Sequence, residues 1–250
     1  MDKQRTTFTL SSSSFTYFLS IVALLLVIIN VAGLFMRYVL GHGAVFGLIP
    51  LFDFDREHNI PTLFSTSLFL INATLFFVVW KLRNKEDKNQ WIWLLLSGLF
   101  CFFAIDELSE IHERLIIPVR TTLNTSGFLY FAWVIPYSIA GLLLTIFLIP
   151  FFMRIEKKIR KWFAVSALTY IVGAIGVEMI GAYYLSSKGE FDILYGFITT
   201  LEESMEISGL IMFIFTLLSL IQKKYQGLMI IIPSASETSD TSGKTLNQMK

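Results

Sequence analysis

Six stretches of about twenty mainly apolar residues recur along this chain, near 15–40, 62–82, 91–112, 128–153, 162–186 and 194–222. Each is long enough to cross a hydrocarbon layer about 30 Å thick. Backbone N–H and C=O groups find no water in such a layer, so continuous apolar runs of this length satisfy them internally, as helices. The fold class that follows is all-α, a polytopic transmembrane bundle of about six helices. Composition agrees, since 54% of the 250 residues are hydrophobic and only 16% charged, far from an ordinary soluble domain.

Lys and Arg in short loops stay on the cytoplasmic side and so fix orientation. Lys3 and Arg5 precede the first run; Lys81, Arg83, Lys85 and Lys88 follow the second. Arg154, Lys157, Lys158, Arg160 and Lys161 follow the fourth, and Lys223 and Lys224 the sixth. With six spans all of these share one side, and the other holds only Arg37, Arg56, Arg114, Arg120 and Lys188. Both termini are therefore expected inside. Residues 1–14 read as a cytoplasmic N-terminus, 15–222 as the membrane domain and 223–250 as a cytoplasmic, largely disordered tail rich in Ser and Thr. The GLMIIIP run from Gly227 is too short to span and reads as an interfacial or amphipathic segment. A formal net charge of +1 carries no footprint of a nucleic-acid partner, and a lone cysteine, Cys101, excludes an internal disulfide or a cysteine-based zinc site. The expected partners are the lipid bilayer and a lipid or small-molecule substrate.

Acids contribute little to orientation, yet most of them fall in the outer half: Asp53, Asp55, Glu57, Asp106, Glu107, Glu110, Glu113, Glu178, Glu190, Asp192, Glu202, Glu203 and Glu206. Several lie within apolar runs. At about 1.5 Å per residue, Asp106 stands roughly 22 Å into the third helix and Glu178 roughly 24 Å into the fifth. Glu202, Glu203 and Glu206 lie one third to one half of the way down the sixth, so the three groups overlap in depth.

Spacing assigns faces. Asp106, Glu110 and Glu113, separated by four and three, stack on one helical stripe with His112 about 100° round. Glu202 and Glu206 are one turn apart, and small residues, Ala167, Ala174, Gly181 and Ala182, share a stripe with Glu178. Ser65 and Asn72 share a face of the second helix. In the loop LFDFDREHNIPTLFS, Pro61 suits a first helical turn that Asn59 or Thr62 could cap, and Asp53, Asp55 and His58 are brought to its outer mouth.

An acid at a helix centre in the bilayer costs about 2.5–3.5 kcal/mol on insertion scales. It persists if protonated, paired with Arg, hydrated or bound to a cation. Blander readings stand beside the sharp ones: a helix end in water for 106–113, ion pairs of the deeper acids with Arg37, Arg114 or Arg120, a solvated loop for 53–58, and helix–helix hydrogen bonds for Ser65 and Asn72.

FDFDREHNIPTLFS, AIDELSEIHERL and LEESMEISG together resemble the signatures NIPT-x-FS, DE-x4-HE and E-x3-E-x2-G of an uncharacterised bacterial family of multipass membrane proteins. The resemblance covers about Leu51 to Gly209. It implies the bacterial cytoplasmic (inner) membrane and assigns no reaction. Seven-helix membrane hydrolases related to alkaline ceramidases use three histidines, an acid and a serine, and His42, His58, His112, Asp106 and Ser65 supply the parts. The paired His-x-x-x-His of a late helix is missing, which argues against that kinship.

The expected site is an outward-facing acidic cavity walled by the third, fifth and sixth helices and roofed by the acidic loop. It would bind a cation or divalent metal through Asp106, Glu110, His112, Glu113, Glu178, Glu202, Glu203 and Glu206, hard oxygens plus one imidazole. Asp53, Asp55, His58, Ser65 and Asn72 would line it. If the metal activates water, Glu178, Glu202 or Glu206 would be the catalytic ligand or base. A proton- or cation-coupled transporter and a structural or sensory subunit are the alternatives.

Overall fold

A computed structural model describes residues 6–9, 11–82, 89–225 and 229–232. Lys3, Arg5, Arg83, Lys85, Lys88 and the tail from Pro233 lie outside the described residues. Six helices are long and apolar enough to cross a membrane, so the chain is a polytopic helical membrane protein in contact with lipid. In chain order the helices are α1 (Ser12–Tyr38), α2 (Leu48–Phe52), α3 (Ile60–Leu82), α4 (Trp91–Ser109), α5 (Ile111–Arg114), α6 (Ile116–Leu123) and α7 (Val134–Phe152). Then come α8 (Lys157–Ile171), which runs through a π-helical stretch, Val172–Val177, into α9 (Glu178–Lys188), and α10 (Ile193–Tyr225). The spans are α1, α3, α4, α7, the continuous rod α8–α9, and α10.

The chain ends meet. Strand β1 (Thr6–Thr9) pairs antiparallel with β2 (Met229–Ile232), Thr6 opposite Ile232. An even number of spans requires both ends on one side, and this pairing is the local expression of it. The MIII run, expected as an interfacial segment, is thus a strand: β-branched side chains favour the extended backbone once a partner strand is at hand.

Each span buries a stripe and gives the rest to lipid. On α1 the buried residues Ser12, Thr16, Leu19, Leu26, Asn30 and Leu34 recur at helical spacing, while Phe18, Leu25 and Ile28 are exposed. The half of the core nearest the chain ends is aromatic: Phe76 packs on Phe100 at 5.0 Å between ring centroids, and Trp93 lies edge-on to Phe151 at 5.1 Å. Side chains hydrogen-bond across helices where lipid offers no alternative partner. Asn72 Nδ2 donates to the Leu210 carbonyl at 3.1 Å, joining α3 to α10, and Ser97 Oγ donates to the Ala73 carbonyl at 2.8 Å, joining α4 to α3. Asn30 Nδ2 donates to Thr200 Oγ1 at 2.8 Å while its Oδ1 accepts from Phe54 N at 3.0 Å, tying α1, α10 and the outer loop together.

α8 and α10 approach closely at a glycine. A Cβ on Gly209 would stand 2.8 Å from Tyr170 N, a backbone atom that cannot yield. Gly209→Ala is therefore expected to cost about 1–3 kcal/mol by forcing the two helices apart. Thermal unfolding in neutral detergent checks this; an unchanged midpoint would contradict it.

Candidate functional site

The loop before α3 is held by one buried acid. Asp53 Oδ2 accepts from Arg37 Nη2 at 2.6 Å and lies 3.3 Å from Arg56 Nε, with only 2% of its side chain exposed. Asn59 Nδ2 donates to the Asp53 carbonyl at 2.7 Å, and Asn59 Oδ1 accepts from Thr62 N at 3.1 Å, capping α3 as its sequence suggests. This frame turns Asp55 and Glu57 inward, where both line a cavity of about 490 Å³.

α4 supplies the next wall and ends where the stripe reading expects it to continue. Glu110 adopts φ 52°, the left-handed region that a residue with a Cβ seldom occupies, and the chain restarts as α5. Asp106 stabilises the break: its Oδ1 accepts from His112 N at 2.9 Å, its Oδ2 lies 3.3 Å from His112 Nδ1, and Tyr137 OH donates to it at 3.1 Å. Asp106, Glu110 and Glu113 consequently do not share a stripe. Glu110 turns outward to His58 Nδ1 at 3.0 Å, while Asp106, Glu107, His112 and Glu113 line the cavity.

The π-helical stretch directly before Glu178 rotates that residue relative to the helix below it; such bulges recur at functional positions. Glu178 accepts from Trp133 Nε1 at 2.8 Å and lies within hydrogen-bonding reach of Glu202. A Cβ on Gly173 would stand 2.9 Å from the Glu202 carbonyl, so the glycine lets the bulge lie flat against α10. From α10, Glu202, Glu203 and Glu206 face the same hollow, with the Tyr170 hydroxyl in reach of Glu206.

Of the residues expected at the site, Asp55, Asp106, His112, Glu113, Glu178, Glu202, Glu203 and Glu206 line one cavity. Asp53, His58, Ser65, Asn72 and Glu110 do not. Asp53 is the loop anchor, and His58, at φ 59° on the exposed rim, pairs with Glu110. Asn72 clasps α10, and Ser65 is buried behind Glu107. The fourth span, absent from the expected wall, contributes Trp133, Tyr137, Leu144 and Leu148. Glu57, Glu107, Tyr170 and Tyr195 also line the cavity; the sequence carries Glu107 as one more acid beside Asp106 but gives no sign that it points inward.

Among the described residues no Lys or Arg forms an ion pair with Glu107, Glu178, Glu202, Glu203 or Glu206. Arg37 is engaged by Asp53, and Arg120 donates to the Tyr130 carbonyl at 2.7 Å while covering its ring. Protons, water in the hollow or a bound cation are what remain to offset these charges. Among the described residues no three His, Cys, Asp or Glu side chains stand together as a ready metal-ligand set.

Burial shifts the acids of the mouth upward. The Asp55 carboxyl is pushed up to about 7, chiefly by burial and then by the charge of Asp53. Much of the residue's surface is open, but the carboxyl sits in the neck between Asp53 and Tyr195, and that enclosure governs its charge. Burial raises Glu57 and Glu113 as well. For His112 burial favours the neutral ring, but the hydrogen bond and charge of Asp106 outweigh it, so the imidazolium persists above its usual range.

The chain belongs to a family described as a domain of unknown function (DUF8692), which matches residues 18–221 and agrees with the resemblance carried by the three sequence signatures. No curated protein and no solved structure matches it.

Proposed function

We propose that this member of a family without an assigned activity binds a cation at the acidic, outward-facing end of an intramembrane cavity, in a bacterial cytoplasmic membrane. The observation that carries the reading is the convergence of carboxylates from the outer loop, α4, α9 and α10 on one hollow, with no Lys or Arg paired to the deeper ones among the described residues. Buried charge of one sign, walled by Trp133, Tyr137 and Tyr195, favours a cation through both its field and its aromatic faces. A monovalent or organic cation needs only that field. A divalent metal needs three donors at one point, which would ask the acid side chains to turn inward together. Hydrolase or oxidoreductase chemistry at Glu178, Glu202 or Glu206 would follow only from metal binding.

Coupled transport is the second reading, favoured by the π-helical stretch beside Glu178, a local irregularity on which the fifth span could bend. It predicts cation flux in liposomes in addition to binding.

The test is equilibrium binding of tetramethylammonium and, separately, of Mn²⁺ to the full chain in neutral detergent. Saturable binding of one of them, lost in Glu202→Gln, is expected; a folded wild-type protein that binds neither would overturn the reading. Binding should also strengthen as pH rises through about 7, because Asp55 is neutral below that value and charged above it. His112 acts in the same direction, losing its positive charge as pH rises. In Asp55→Asn the rise should be shallower, leaving the part due to His112, Glu57 and Glu113; a profile identical to wild type would remove Asp55 from the account.

A further inference from the structure

The cavity is much longer than a small cation requires. Along α10 its lining runs from Tyr195 to Phe213, roughly 27 Å at about 1.5 Å per residue. Its chemistry changes along that length. The outer end is acidic and aromatic, whereas the inner part is closed by Leu96, Phe100, Leu144, Leu148, Phe163 and Phe213, with Arg160 at the cytoplasmic extreme.

The side facing α7 is open. Gly141, Thr145 and Ile149 on α7 and Ala164 and Ile171 on α8 line the cavity and are exposed, so the cavity wall is open where these two helices face each other. α7 is the least buried of the spans, at 17% of its apolar window against 56% for α3 and α10.

We propose that the cavity takes a single-chain amphiphile with an ammonium head, the head among the outer carboxylates and aromatic rings and the chain in the apolar inner part, reached from the bilayer between α7 and α8. This rests on the cation reading and adds the substrate class. A head that also carries phosphate would set that phosphate against the carboxylates, so simple ammonium amphiphiles are preferred over zwitterionic lipids.

The experiment compares dodecyltrimethylammonium, tetramethylammonium, dodecyl sulfate and a lyso-phosphatidylethanolamine on the full chain in maltoside micelles, with protein-free micelles as the blank for partition. Burial of the chain should make dodecyltrimethylammonium bind at least about tenfold more tightly than tetramethylammonium, with the sulfate and the zwitterion at blank level. A Cβ on Gly141 would meet nothing within 4 Å, and Gly141 lines the cavity, so Gly141→Phe adds apolar bulk at its wall from a backbone position with room for a side chain. It should narrow the gap between the two ammonium ligands. Equal binding of both in wild type overturns the amphiphile and leaves the cation site standing; tighter binding of the zwitterion or the sulfate overturns the ammonium head. Failure of every ligand removes the cation reading as well.

Discussion

Glu202→Gln is expected to weaken cation binding by about 2 kcal/mol or more, roughly thirtyfold, the cost of removing one member of a desolvated charge pair. Glu202 is the acid best placed to carry this effect, because it stands between Glu178 across the helix contact and Glu206 one turn below, and its carboxyl lines the cavity. Gln keeps the shape and can still hydrogen-bond to Glu178, so the loss reports charge. Glu178→Gln should behave alike. Glu190→Gln, in the outer loop and exposed, should leave affinity within a factor of about two. Isothermal titration of the three variants checks the ordering; equal affinities would mean that the deep acids do not hold the ligand.

The second large effect concerns stability. Arg37→Ala leaves Asp53 buried, with Arg56 as its remaining partner at 3.3 Å. Breaking a buried pair by removing one side costs about 3–5 kcal/mol, and the 19% exposure of the Arg37 side chain together with the surviving Arg56 contact places the expectation near the lower end, about 3 kcal/mol. The double substitution Arg37→Ala with Asp53→Asn should recover part of that loss, because no buried charge is then left without a partner. Unfolding followed by circular dichroism decides between this and a merely superficial ion pair, for which the single substitution would change little.

Both effects rest on features that differ in how openly the sequence displays them. The spans and their common side are plain because lipid imposes a length on apolar runs and Lys and Arg are retained on one side. Helical spacing alone suffices to put Glu202 and Glu206 on one face, since α10 runs unbroken from Ile193 to Tyr225. The same logic fails from Ser109 onward. Glu110, Ile111 and His112 contain neither Gly nor Pro, yet the helix stops because the Asp106 side chain captures the His112 N–H, an arrangement only the folded chain specifies. The stripe through Asp106, Glu110 and Glu113 does not form for that reason, and the inward direction of Glu107 depends on where α4 packs. Gly173 and Gly176 flag the irregular turn before Glu178 without saying that it is a π-helical one. The Arg37–Asp53 pair joins the end of α1 to a loop sixteen residues on, and no local pattern announces it.

Chemical cross-linking measures the convergence of these carboxylates on one hollow. In a Cys101→Ser background, which removes the lone native cysteine, Glu178→Cys and Glu202→Cys are combined and treated in native membranes with a bridging mercuric ion. The two thiols should bridge each other within one chain. Independent labelling of the two cysteines by a bulky polar maleimide, with no bridge formed, would show that α9 and α10 do not present their acids to one another.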